Sequence, residues 1–123
     1  MTVAYWCVLA AALLPYLTVA PAKVRPDFDN RRPRDWEDRQ EGWRKRLYWA
    51  HLNGFEAFAP FAAAVIVAHL AQAPQSRIDA LAVVFILARI AYGFCYYADL
   101  ATLRSLVWTA GFACVVALFF IGA

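Results

Sequence analysis

Apolar positions fill this chain in four long blocks, and the polar positions collect in the gaps between them. Thr2 to Pro21 carries no charged side chain. A second block runs from about Leu47 to Ala73 and is interrupted by His51, Asn53, Glu56 and His69. A third, from about Ala80 to Ala98, has Arg89 as its one charge, and a fourth, from about Ser105 to Ala123, has none. A helix rises ~1.5 Å per residue and a hydrocarbon core is ~30 Å thick, so each block is long enough to cross a bilayer. The pattern predicts an all-α integral membrane protein, a four-transmembrane-helix up-down bundle. Its helices fall over roughly 2–21, 43–73, 78–98 and 104–122, in a single membrane domain spanning 1–123. The first block lacks the basic run that opens a leader, so it reads as a membrane helix.

Composition agrees: 63% of the 123 residues are hydrophobic, well above an ordinary soluble domain. Charge sharpens the picture through its placement. Nine of the twelve Lys and Arg residues lie between Ala22 and Arg46, and the second gap offers only Arg77. The positive-inside rule then puts the first loop, 22–42, in the cytoplasm and both termini on the opposite side. Asp27, Asp29, Asp35, Glu37, Asp38 and Glu41 share that loop. Mixed signs argue against a nucleic-acid arm and for a self-paired, partly ordered segment near lipid headgroups. Trp36, Trp43, Tyr48 and Trp49 read as an aromatic belt where the loop meets the second helix. Cys7, Cys95 and Cys114 are widely spaced in apolar segments and read as small buried residues. No metal-ligand spacing, Ser-His-Asp set or phosphate-binding glycine loop is visible.

The charges inside the blocks carry the functional signal, because an ionisable side chain at membrane depth needs a partner. Glu56 is nine residues into the second helix and Arg89 nine residues from the end of the third, so both lie about 13 Å below the loop-side surface. Antiparallel neighbours would bring them together as an ion pair. Asn53 precedes Glu56 by one turn, Tyr92 and Tyr96 follow Arg89 on one face, and Arg104 opens the fourth helix. Asn53, Glu56, Arg89, Tyr92, Tyr96 and Arg104 would then line a polar, partly cationic space that is open to the cytoplasm and suits a small anionic or zwitterionic molecule. Pro60 removes a hydrogen bond from the Glu56 carbonyl and predicts a kink. His51 is expected at a helix contact, and His69 solvated near the far surface. Two other readings stand beside the pocket. In one, the Glu56–Arg89 pair merely fastens helices of a non-enzymatic module that binds a lipid or a partner protein. In the other, Glu56 serves a proton pathway, which the uniformly apolar stretches Phe61–Val67 and Leu81–Leu87 disfavour.

The segment Ala50-His51-Leu52-Asn53-Gly54-Phe55-Glu56, with Asp29-Asn30-Arg31-Arg32-Pro33-Arg34 before it and Arg89, Tyr96 and Arg104-Ser105 after it, resembles the bacterial branch of the MAPEG family. These are membrane-associated proteins in eicosanoid and glutathione metabolism. The resemblance implies a homotrimer in the bacterial inner membrane, with sites between subunits near the cytoplasmic face. It implies glutathione as the bound cofactor and a lipophilic small molecule as second substrate. Asn53 and Glu56 would contact the peptide, with Glu56 also paired to Arg89. Tyr96 would add a hydrogen bond, and Arg104 would hold the sulfur as thiolate. Trp49, Leu52, Tyr92 and Trp108 depart from residues common in glutathione-using members; two of these replace cations, and Arg44 and Arg46 are the candidates to supply that charge by snorkelling.

Overall fold

A computed structural model describes the whole chain, Met1–Ala123. Helix α1 spans Val3–Val19 and runs into a 3₁₀ turn, Ala20–Lys23. A short helix α2, Pro33–Asp38, lies within the charged loop. Three long helices follow: α3, Gly42–Leu70; α4, Gln75–Tyr97; and α5, Ala101–Phe120. Four segments are long and apolar enough to cross a membrane: α1 with its 3₁₀ extension, α3, α4 and α5. The chain is a multi-pass integral membrane protein built as a four-helix bundle. The third crossing helix starts at Gln75 rather than 78, because Pro74 serves as its N-cap.

Local chemistry sets the helix ends. Thr2 caps α1 by accepting a hydrogen bond from the Tyr5 N–H at 3.3 Å. Gly42 opens α3 with φ of +64°, a backbone state that glycine enters freely. Asp99 closes α4 with φ of +58°, and the Leu100 N–H reaches back to the Cys95 carbonyl at 2.9 Å. At 29 residues α3 is about 44 Å long, so its first turns project beyond the hydrocarbon into the loop layer. It runs unbroken as helix through Pro60.

Helices α3 and α4 form the middle of the bundle. Helix α1 packs on both, α5 packs on both from another side, and α1 and α5 do not touch. The buried core is Ala4, Cys7 and Ala11 of α1; Phe61, Ala64, Val65 and Ala68 of α3; Ile78, Ala82 and Phe85 of α4; and Cys114, Val115 and Leu118 of α5. All of these lie in the half of the bundle away from the charged loop, and more than half are Ala or Cys. Small residues let helix backbones approach closely, which is how helices associate where lipid supplies no hydrophobic drive. Phe61 and Phe85 stack face to face at 3.9 Å at its loop-side edge.

Polar contacts close the far end. Thr2 Oγ1 meets His69 Nε2 at 2.9 Å, Asp79 accepts from the Ala4 N–H at 2.9 Å, and His69 stacks on Tyr5. His69 is therefore tied into the helix ends rather than solvated. His51 sits at a helix contact, its Nδ1 2.7 Å from the Pro15 carbonyl oxygen. Beside it α1 and α3 nearly touch, since a Cβ on Gly54 would lie 2.8 Å from Pro15 Cγ. The loop pairs with itself through Lys23–Glu37, Arg25–Asp27 and Lys45–Asp38. Trp36 and Tyr48 are buried, so only Trp49, which is exposed, and the half-buried Trp43 suit an interfacial belt. The three cysteines are buried and unbonded.

Candidate functional site

The loop-side half of the bundle lacks the small-residue core, and a cavity of about 130 Å³ opens there between α3, α4 and α5. Asn53 and Glu56 reach it from α3, Arg89 from α4, and Trp108 and Phe112 from α5. Three of the six sequence-predicted residues thus share one wall. Helical spacing explains why. Asn53 and Glu56 are one turn apart, and the Asn53 amide donates to Glu56 Oε2 at 3.0 Å.

The expected Glu56–Arg89 ion pair is not formed. The chain's ion pairs are all in the loop and the first turn of α3, and Glu56 is in none of them. Two local contacts draw the charges apart: Asn53 holds the carboxylate against α3, while the Arg89 guanidinium lies over the Tyr92 ring, 4.2 Å from its centroid. Glu56 is exposed on the single chain, whereas Arg89 is only 8% exposed.

The remaining three residues form a row that leads from Arg89 toward the loop. Tyr92 and Tyr96 meet edge to face at 5.2 Å, and the Arg104 guanidinium covers Tyr96 at 4.3 Å. Arg89, Tyr92, Tyr96 and Arg104 therefore alternate cation, ring, ring, cation. Cation–π stacking of this kind fixes a guanidinium's plane while leaving its N–H groups free to donate. Neither Arg89 nor Arg104 makes a side-chain hydrogen bond within the chain, whereas Arg46 makes two. Asn53 Oδ1 is also buried without a partner. The site thus presents two donors and one acceptor for a polar guest with anionic groups.

Arg46 does not supply the missing cation. Its Nε donates to the Tyr96 carbonyl at 2.8 Å and its Nη2 to the Tyr97 carbonyl at 3.0 Å. Those carbonyls are orphans of the α4 C-terminus, where a cation is also favoured by the helix dipole. Arg44 lies over the Trp43 ring instead of reaching inward. The sequence hides the Arg46 contact because fifty residues separate the partners and the acceptors are backbone atoms. Trp49 stands 6.5 Å from the Tyr96 ring, centroid to centroid, and so borders the row.

With this geometry in place, the comparison with known families is decisive in one respect: the MAPEG family model matches residues 3–123. The chain belongs to the MAPEG family. The match covers all four crossing helices, so the family assignment and the bundle describe the same residues. No curated protein and no solved structure matches the chain.

Proposed function

We propose that this MAPEG protein is a glutathione-dependent transferase or peroxidase acting on lipophilic electrophiles at the cytoplasmic side of a bacterial inner membrane, as a homotrimer. The observation that carries the reading is a set of unspent hydrogen-bonding groups at the cavity and along the aromatic row beside it. Arg89 and Arg104 make no side-chain hydrogen bonds in the protomer, and Asn53 Oδ1 is buried unpaired. A native protein leaves few such groups unsatisfied without a purpose. A peptide thiol with two carboxylates and an amine matches them. Asn53 and Glu56 face its polar backbone and amine, Arg89 its carboxylate, and Tyr92 and Tyr96 its flank. Arg104 stands at the loop-side end of the aromatic row, and a guanidinium beside a thiol lowers its pKa from ~8.5 and raises the thiolate fraction. Bound glutathione would supply the nucleophile, and the bilayer the apolar partner.

Glu56 supports the trimer. A carboxylate about 13 Å below the surface cannot face lipid cheaply, yet it is exposed on the protomer. A second copy placed against α3 would cover it. The rival reading, with a Glu56–Arg89 bridge that only fastens helices, draws no support from two side chains that form no ion pair. The test is titration of purified protein with glutathione, read as ultraviolet thiolate absorbance and by calorimetry. Saturable binding with a thiolate signal that Arg104→Ala removes is the expected result. No saturable binding to the intact protein would end the glutathione reading.

A further inference from the structure

A much smaller cavity, of about 20 Å³, lies between α1, α3 and α4. Ala11, Pro15 and Thr18 line it from α1, Gly54 from α3, and Arg89 and Tyr92 from α4. Two contacts fix the register of α1 against α4. The Ala4 N–H donates to Asp79 at 2.9 Å, and a Cβ on Gly93 would lie 3.9 Å from Thr18 Cγ2. Both pairs are 75 residues apart, and both helices run toward the loop, so Arg89 lies level with Leu14. Pro15 sits inside α1 and has no N–H, which leaves the Ala11 carbonyl without its helical donor. Helix carbonyls point toward the C-terminal end, so this oxygen opens toward Leu14 and Pro15, at the depth of Arg89. The next carbonyls along α1 are served by side chains. Thr18 Oγ1 donates to that of Leu14 at 2.8 Å, and His51 Nδ1 meets that of Pro15 at 2.7 Å. No side-chain donor serves Ala11 in the same way.

We propose that this cavity holds one water molecule that accepts from the Arg89 guanidinium and donates to the Ala11 carbonyl and to Thr18 Oγ1. Size and polarity select the occupant. A buried water fills about 10–15 Å³ of such space and makes about three hydrogen bonds. The cavity therefore has room for one water and for no organic guest. Cavities lined only by hydrocarbon stay dry, but this one is bordered by a guanidinium, a hydroxyl and a freed carbonyl. The Thr18 hydroxyl spends its proton on Leu14, so its oxygen is left to accept. The Arg89 guanidinium carries five N–H donors, enough to hold this water and still serve the larger polar cavity that it also lines. Bound in this way, the water gives a charge at membrane depth an acceptor other than Glu56. Pro15 is then part of the site, because a residue with an N–H in its place would close the Ala11 carbonyl into the helix. The proposal stands on the lining of this cavity, and it holds whether or not the polar cavity takes glutathione.

The experiment is radiolytic labelling of the whole protein in nanodiscs, by brief X-ray exposure followed by peptide mapping with mass spectrometry. Hydroxyl radicals formed from a bound water oxidise the side chains around it. Pro15 and Tyr92 are the reporters, since both are buried and both border this cavity and not the larger polar one. Both are expected to be oxidised, while Phe61, which is fully buried in the small-residue core, stays unlabelled. A bulk radical scavenger should suppress oxidation of the exposed Tyr97 and leave that of Pro15 and Tyr92 unchanged. Arg89→Leu removes the donor and should lose the label at both reporters. The unmodified protein decides the matter even if Arg89→Leu does not fold. Reporters as unreactive as Phe61, a label that the scavenger abolishes, or a label kept in a folded Arg89→Leu would each overturn the proposal.

Discussion

Two glycines at helix contacts should respond to the same substitution with opposite signs. A Cβ on Gly54 would lie 2.8 Å from Pro15 Cγ and 3.2 Å from Pro15 Cβ, whereas on Gly93 the nearest atom is at 3.9 Å. Glycine to alanine inside a helix is worth about 1 kcal/mol in backbone propensity at either position. At Gly93 nothing opposes that gain, so Gly93→Ala should stabilise by up to about 1 kcal/mol. At Gly54 the Pro15 ring is stiff and set in α1, and the neighbouring His51–Pro15 hydrogen bond at 2.7 Å fixes the same crossing. Overpacking there costs about 1–3 kcal/mol, so Gly54→Ala should be neutral to destabilising by about 2 kcal/mol. The propensity term cancels in the difference between the two variants, leaving the overpacking cost of about 1–3 kcal/mol. Unfolding in mixed micelles, titrated with sodium dodecyl sulfate and followed by tryptophan fluorescence, reads both against wild type. Adding Pro15→Ala should rescue Gly54→Ala by removing the atoms it meets, which a double-mutant cycle measures as coupling. If the two alanine variants unfold within about 0.5 kcal/mol of each other, or if Pro15→Ala gives no rescue, the close α1–α3 crossing is refuted.

Arg46→Ala removes both donors from the α4 C-terminus and should cost about 1.5–3 kcal/mol, with Arg46→Lys recovering part. The loss should appear as faster amide exchange at Ala98 and Leu100, and unchanged exchange there would refute the capping role. Glu56→Gln should cost under about 1 kcal/mol in the same micelle unfolding assay, because the amide oxygen still accepts from Asn53 and no ion pair is broken. A loss of about 3–5 kcal/mol would instead mark a buried bridge to Arg89.

The fold was legible because crossing a membrane forces a simple rule on sequence: long apolar runs, with cations held in the loops. Less legible was anything settled by a single rotamer. Glu56 and Arg89 were placed at matching depth by counting residues, and they do line one cavity. Counting cannot show that Asn53 and Tyr92, each only three residues away on its own helix, offer nearer partners than the opposite charge across the gap. Helix α2 was hidden for another reason. Six residues rich in charge carry no apolar period, and Trp36 is buried against the edge of Phe28, which no spacing rule foresees. The place of His69 is hidden in the sequence because its partners, Thr2 and Tyr5, come from the far end of the chain and only helix packing unites them.

The bundle's asymmetry bears on why the polar residues sit where they do. A small-residue core gathers the helices in the half away from the loop, and the Phe61–Phe85 stack belongs to it. Trp108, a large side chain toward the loop, is one wall of the cavity, and the Tyr92–Tyr96 pair runs beside it on α4. A self-contained Glu56–Arg89 bridge would have closed this gap, because each charge would satisfy the other. Kept apart, each charge needs a third party. The carboxylate needs cover at membrane depth and the guanidinium an acceptor, and in the proposed reading a ligand held where two protomers meet would provide both at once. Separation of the charges therefore favours binding over scaffolding, since a scaffold gains nothing from leaving its strongest pair unmade.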